Sequence, residues 1–327
     1  MHKLKIAAVC MAVVTAMAAL IGCSSDDTTT PVDNSATPTM TIGTMLTEDA
    51  LPLWVAQNEG LFTDAGIEVD IKPFQSAQEL STAFAAGEID AAMTDIQVSA
   101  TLYAAGTKVF MPFVMLGTTP EQGRFGIMTS PDSGITDLAD LAGVPIGVGS
   151  NTVPEYVMDQ LMIAAGIPAD QIVKEEIKKV PVRFETMAQN QVAAAALPGT
   201  LLALGESIGC VVLADDTTGA NVSQSVLAVS ESYATSYAQA QVNPVEALKQ
   251  AWNKASDRIN AQPENYRALL IEMARVPEGV QDSYPVATYP HAELPTSAMV
   301  DPVIAWMVEK GYLVQALTYD ASTGYFG

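Results

Sequence analysis

From residue 39 onwards, short apolar runs alternate with amphipathic stretches, and Gly or Asn marks most of the joins. Residues 39–46 and 67–74 read as strands. Between them, residues 51–59 carry the period of a helix, with Pro52 in the first turn, where its missing N–H costs nothing, and Gly60 at the exit. Residues 78–86 predict a helix closed by Gly87, 89–94 a third strand, and 98–105 a helix closed by Gly106. After 125–129 the order repeats: strand 145–149, helix 154–165 ended by Gly166, strand 172–180, helix 182–189, strand 192–197. Beyond 226–229 the pattern turns helical over 244–261, 263–273 and 302–311, each with proline early. Alternation of this kind predicts an α/β fold with parallel sheets.

The two sets echo each other. Ala86-Gly87-Glu88-Ile89-Asp90-Ala91-Ala92-Met93 parallels Gln189-Asn190-Gln191-Val192-Ala193-Ala194-Ala195-Ala196, a helix exit running into a strand small enough to pack between helices. Two similar lobes are therefore expected. Trp252, Tyr266 and Trp306 fall on helical faces and are assigned to packing.

Before residue 39 the chemistry is different. Lys3 and Lys5 precede an unbroken weakly polar run over 6–22, the charge-then-apolar order of a signal peptide. The run ends Leu20-Ile21-Gly22-Cys23, which resembles a bacterial lipobox and marks Cys23 for lipidation. Residues 24–39 are mostly Ser, Thr, Asp, Asn and Pro and read as a flexible tether. Cys10 leaves with the signal, so Cys210 is left alone in an apolar setting and is expected to be a buried structural thiol.

At 327 residues and 49% apolar, the chain can bury two substantial cores. Its 37 acids against 15 Lys plus Arg give a charge of −22, which repels phosphate backbones and excludes nucleic acid as a natural partner. No His, Cys or carboxylate cluster has metal-ligand spacing, and no cofactor motif is present.

A family likeness rests on several segments in order: residues 51–62 (LPLWVAQNEGLF), 66–69 (GIEV), 85–92 (AAGEIDAA), 132–135 (DSGI) and 137–143 (DLADLAG). Together they resemble the substrate-binding lipoproteins of ABC importers in the SsuA/THI5-like group. That resemblance implies a type II periplasmic-binding-protein fold, two βα lobes joined by two crossover strands with ligand in the cleft between them. Carried onto this chain, the crossings are 124–129 and 224–230; lobe 1 is 40–128 plus 227–327 and lobe 2 is 129–226. The function implied is capture of a small organic molecule and its delivery to an ABC permease with its ATPase, by a monomer lipid-anchored on the outer face of the cell membrane. A lipoprotein presenting ligand to a sensor is the first alternative, an enzyme on the same fold the second. Against the enzyme stand the single Cys210 and the lack of any His between processing and His291.

In such sheets, strand carboxyl ends and helix amino ends converge on one edge, which makes the loops there the expected ligand contacts. The candidates are Thr44, Thr47 and Asp49 after the first strand, Thr94, Asp95 and Gln97 after the third, and Thr118 in a third loop near 117–119. In lobe 2 they are Ser150, Asn151, Thr152 and Glu155, with Gly199 and Thr200 after the last small-residue strand. Gly199 and Thr200 depart from the acidic or aromatic residue and proline that the resembled group commonly shows there. With four acids among these loops and Arg124 the sole nearby cation, the expected ligand is neutral or zwitterionic, its amine facing Asp95 or Glu155 and its oxygen the helix start at Ser150.

Overall fold

The structure, a computed structural model, describes residues 36–219 and 222–327. The signal segment, Cys23 and most of the tether lie outside the described residues. The first series of elements is β1 (Thr39–Met45), α1 (Leu51–Asn58), the short α2 (Leu61–Asp64), β2 (Glu68–Phe74), α3 (Ala77–Ala85), β3 (Ala91–Asp95), α4 (Ile96–Ala104) and β4 (Val109–Leu116). The second is β5 (Phe125–Thr129), β6 (Pro145–Val148), α5 (Val153–Ala164), β7 (Val173–Glu176), α6 (Val180–Ala188), β8 (Ala194–Pro198), α7 (Gly199–Ser207) and β9 (Val211–Asp215). Then β10 (Ser225–Ser230) leads into α8 (Glu231–Ser236), α9 (Pro244–Ala261), α10 (Arg267–Met273), α11 (Ser297–Glu309) and the hairpin of β11 (Tyr319–Asp320) and β12 (Tyr325–Phe326).

Two sheets result. The first runs β11-β12-β4-β10-β3-β1-β2 and the second β7-β6-β8-β5-β9. In each, a strand from the far side of a crossing enters antiparallel to its neighbours: β10 lies between β3 and β4, and β5 between β8 and β9. The two cores of strands are superimposable in register, since Ile42 and Gly43 pair with Ala91 and Ala92 while Ile146 and Gly147 pair with Ala194 and Ala195. This is the expected two-lobed architecture, and the internal echo is its cause. Both β3 and β8 are buried along their whole length, so only small side chains admit helices on both faces. Gly87 (φ +72°) and Asn190 (φ +55°) make the same left-handed exit into them.

Some boundaries differ from the sequence reading. All of β5 belongs to the second sheet and all of β10 to the first, so the chain changes lobe ahead of these strands, within 117–124 and 216–224, rather than at 128/129 and 226/227. The reason is that each antiparallel strand completes the sheet it enters. The crossings touch: a Cβ on Gly117, whose φ is +86°, would lie 2.5 Å from the Ser223 carbonyl oxygen, so only glycine fits. The last long helix begins at Ser297, with Pro302 inside it rather than near its start. Strand β4, which the sequence reading passed over, is a buried apolar run of eight.

In the first lobe the core gathers Trp54, Trp252 and Tyr289, and the Trp252 indole donates to the Pro290 carbonyl at 2.9 Å. The second has two smaller clusters, one of which holds Cys210 beside Met128 and Leu202. Burial pushes the Cys210 thiol up and keeps it protonated. Among the described residues, no helix is long and apolar enough to cross a membrane.

Candidate functional site

A cavity of about 700 Å³ opens where the carboxyl edges of the two sheets face each other. The first lobe contributes the end of β1, the β3–α4 junction and one side of α3; the second contributes the β6–α5 loop, the segment after β7 and the start of α6. On the wall made by β3, α3 and α4, Leu80, Met93, Val98 and Leu102 line the space together with Gln78, Ser81, Thr82 and Thr101.

Seven expected residues border the cavity: Thr47, Asp49, Thr94 and Asp95 from the first lobe, Ser150, Asn151 and Thr152 from the second. Their hydrogen bonds are mostly internal. Asp49 accepts from the Thr47 hydroxyl at 2.7 Å and the Ser225 hydroxyl at 2.8 Å. Asp95 caps α4 by accepting from the Val98 N–H at 2.7 Å, and its other oxygen accepts from the Val153 N–H at 3.1 Å, the first residue of α5 in the opposite lobe. Burial pushes the Asp95 carboxyl up to about 6.

The amino end of α5 is likewise occupied. The Ser150 amide and hydroxyl donate to the Glu176 carboxylate, the Asn151 amide donates to Glu155 at 2.6 Å, and Val153 donates to Asp95. Three of the chain's own carboxylates take the donors expected to receive a ligand oxygen. Thr152 donates to the Gly149 carbonyl at 2.6 Å, and the Asn151 side-chain amide reaches across to the Thr101 hydroxyl at 2.6 Å.

Six expected residues lie elsewhere. Glu155 is fully buried behind α5, where Lys174 approaches at 2.8 Å and Tyr312 donates at 2.7 Å, so it ties α5 to the segment after α11 and faces no ligand space. The zwitterion assignment, which needed Asp95 or Glu155 free to meet an amine, does not hold for Glu155. Thr44 is buried within β1 and Gln97 on the inner side of α4, and neither borders the cavity. The Thr118 amide donates to Gln122 within the crossing. Gly199 and Thr200 border a crevice of about 10 Å³ beside Glu48, which adjoins the cavity at Thr47, Asp49 and Pro198, while neither residue lines the cavity itself. There a Cβ on Gly199 would lie 2.9 Å from the Tyr284 hydroxyl, so the glycine makes room for packing rather than for a solute.

Within that same crevice Glu48 accepts from the Tyr284 hydroxyl, and its carbonyl accepts from Tyr289 at 2.8 Å. Burial pushes the Glu48 carboxyl up to about 7. Arg124 is spoken for as well: its Nε donates to Asp215 at 2.8 Å and its terminal nitrogens to Glu206 at 2.9 and 3.1 Å, a clamp near the crossing.

The cations that do border the cavity are Lys178 and Arg183. Arg183 is 2% exposed, and burial holds its guanidinium down at about 10, which still leaves it charged at neutral pH. The sequence carried a signal for it. Val180, Phe184 and Met187 mark the apolar face of α6 by their spacing, and Arg183 sits on that face, where a charge is unexpected. Among the described residues, no group of three or more His, Cys, Asp or Glu could hold a metal ion.

The NMT1/THI5 like family model matches residues 47–265, well over half of the chain. No curated protein matches in sequence. Among solved structures, the alkanesulfonate-binding protein SsuA from Xanthomonas axonopodis pv. citri, bound to MOPS, is similar with a TM-score of 0.71 at 18% identity, over 86% of this chain and 96% of that one. The periplasmic aliphatic sulphonate binding protein SsuA from Escherichia coli gives 0.69 at 16% identity, over 86% and 90%. The periplasmic nitrate-binding protein NrtA from Synechocystis PCC 6803 gives 0.69 at 14%, over 85% and 83%. At such identities the likeness establishes the periplasmic-binding-protein fold, and the family match, with the paired sheets and facing edges described above, places the chain in the NMT1/THI5-like family.

Proposed function

We propose that this chain is an extracytoplasmic solute-binding lipoprotein, anchored through Cys23, that traps a small organic molecule between its lobes and passes it to an ABC permease and its ATPase. The observation that carries the reading is the 700 Å³ cavity at the facing sheet edges, large enough to enclose an organic solute and lined by both lobes. A ligand that touches both walls binds the closed arrangement better than an open one and so shifts a hinge equilibrium at the two adjoining crossings. The closed form is then what the permease recognises. The tether composition over 24–39 supports a globular body held just off the membrane.

The relatives with printed ligands lend this reading support by analogy of fold, since they bind sulfonates and nitrate. Thermal-shift screening of the full chain in detergent against amino acids, sulfonates, carboxylates, pyrimidines and sugars tests it. A true ligand raises the midpoint in proportion to the logarithm of its concentration. A library of that breadth with no stabilising member would overturn the reading. The anchor has its own test: Cys23→Ser is expected to release the protein from the membrane fraction.

A further inference from the structure

Resting on that reading, we infer that Arg183 is the anchor for the ligand's charged head, and that the ligand is an organic molecule with one negative charge and an apolar body. The argument begins with the internal repeat. Helices α3 and α6 have nine residues each and stand at the same offset from Gly87 and Asn190, so Leu80 in the first lobe and Arg183 in the second occupy the same place on the scaffold. Leu80 is fully buried in an apolar cluster. A leucine satisfies this position; a buried guanidinium costs desolvation energy there unless something repays it.

The surroundings of Arg183 orient it without neutralising it. Its Nε donates to the Ile177 carbonyl at 3.1 Å and its Nη1 to the Ala196 carbonyl at 2.8 Å. Both acceptors are uncharged. The remaining nitrogen, Nη2, has no hydrogen-bond partner among the described residues, and the guanidinium forms no salt bridge with them; Glu176 acts on it only through its field.

Two glycines make the room. A Cβ on Gly147 would lie 3.4 Å from the Arg183 Cγ, and one on Gly149 would lie 3.4 Å from Nη2. In the first lobe the position matching Gly149, one residue past the end of β6, is Met45, since Gly43 and Gly147 hold the same register against β3 and β8. A side chain of that length at 149 would lie over the guanidinium and close it off. The second lobe thus has a cation where the first has leucine, and an opening where the first has methionine.

The carboxylates that border the same space are Asp49, Asp95 and Glu176, and each is engaged by hydroxyls or amides of the chain. They limit the ligand to a single negative charge, because a dianion would meet their repulsion. Lys178, beside Gly149, adds a second positive charge at the same end of the cavity. On the first-lobe side stand Leu80, Met93, Val98 and Leu102, interspersed with Gln78, Ser81, Thr82 and Thr101, and their apolar surface is one to which a bare inorganic ion offers nothing.

Calorimetric titration of the full chain in detergent with octanoate, octane-1-sulfonate, octan-1-ol, octylammonium and nitrate tests this. At least one of the two eight-carbon anions is expected to bind more than about tenfold tighter than octan-1-ol, octylammonium and nitrate. Arg183→Gln is expected to erase the preference for the anion over the alcohol, and Arg183→Lys to keep part of it. Because both remove a buried hydrogen-bonded group, Gly149→Met serves as a second variant that leaves Arg183 and its two carbonyl bonds in place, and it is expected to weaken the anion at least tenfold.

Preference for the alcohol or the ammonium, failure of both anions to bind, or anion preference that survives in folded Arg183→Gln overturns the inference. The two failures are separable. If a neutral or cationic solute from the wider screen binds in the cavity, the solute-binding reading stands and only the anchor falls; if nothing in that screen binds, both fall.

Discussion

The two lobes share strand order, register and helix placement, yet the residues at their strand ends do opposite things. β3 ends in Asp95, whose carboxylate caps α4 and reaches the amino end of α5 across the cleft. β8 ends in Pro198, and α7 has no side-chain cap at all. Leu80 lines one wall as part of the core; Arg183 lines the other as a cation. One scaffold has been used to build an apolar wall with an acidic latch on one side and a charged floor on the other. The lesson is that the repeat fixes geometry, while chemistry is written in the few positions where the halves disagree.

The strongest way to break that comparison is to exchange the disagreeing residues. Leu80→Arg is expected to cost about 4 kcal/mol or more, enough to leave little folded protein, because Leu80 is fully buried in an apolar cluster, where a guanidinium displaces well-packed side chains. Arg183→Leu is expected to cost under about 2 kcal/mol, since the lost carbonyl bonds are offset by relief of desolvation. Urea unfolding of both variants checks this. Equal losses would mean that the two positions are not matched as the repeat implies.

A second comparison sets the loop after β1 against the loop after β6. The first holds the buried Glu48 against Tyr284; the second is Ser150-Asn151-Thr152. With its carboxyl pushed up to about 7, Glu48 keeps a proton in the folded chain over about pH 4.5 to 7 that the unfolded chain has released. Its contribution to stability is therefore best below that window and is lost as pH rises through it, by an amount on the order of 3 kcal/mol. Glu48→Gln removes the titration: it should match the wild type near pH 4 and exceed it by on the order of 3 kcal/mol at pH 8. Unfolding at three pH values decides, and a gap that fails to widen with pH overturns the assignment.

Next in size is the latch. Asp95→Ala removes the α4 cap and the bond from Val153, for about 2 kcal/mol together, whereas Asp95→Asn keeps an acceptor and should cost under about 1 kcal/mol. Small-angle scattering of the ligand-free chain should show the alanine variant expanded and the asparagine variant close to wild type.

How far the sequence led depended on whether the signal was periodic. The echo of 86–93 in 189–196 was legible because a strand squeezed between helices tolerates only small residues, and that constraint is written locally. The α6 charge was legible too, as an interruption of an apolar face, but a reading confined to loops passed over it. What could not be read was which side of a helix start faces the cleft. Glu155 and Asn151 are four residues apart on one turn of chain, yet Asn151 borders the cavity and Glu155 is sealed behind α5 by Lys174 and Tyr312, a partner 157 positions away. Pro302 misled for a related reason: proline favours a first turn, but the helix starts five residues earlier, once Thr296 has taken the extended cap conformation. The crossings were placed a few residues late because an antiparallel strand looks the same whichever sheet it completes.

The smallest expected effect lies at the rim, where the lobes meet through exposed charge. Lys179, just ahead of α6, stands 3.4 Å from Glu79 on α3, and both side chains are about half exposed, at 51% and 45%. The pair joins the same two helices that carry Arg183 and Leu80, so it has the geometry of a second latch. Solvent decides otherwise. At such exposure the attraction is screened, and holding two long side chains in one arrangement costs entropy of similar size, so exposed pairs of this kind contribute about 0 to 1 kcal/mol. Lys179→Ala is expected to shift stability by less than about 0.5 kcal/mol and to lose even that at high salt. If instead it opened the ligand-free chain in scattering as far as Asp95→Ala, closure would rest on rim charge, and the buried carboxylate would be a helix cap and nothing more.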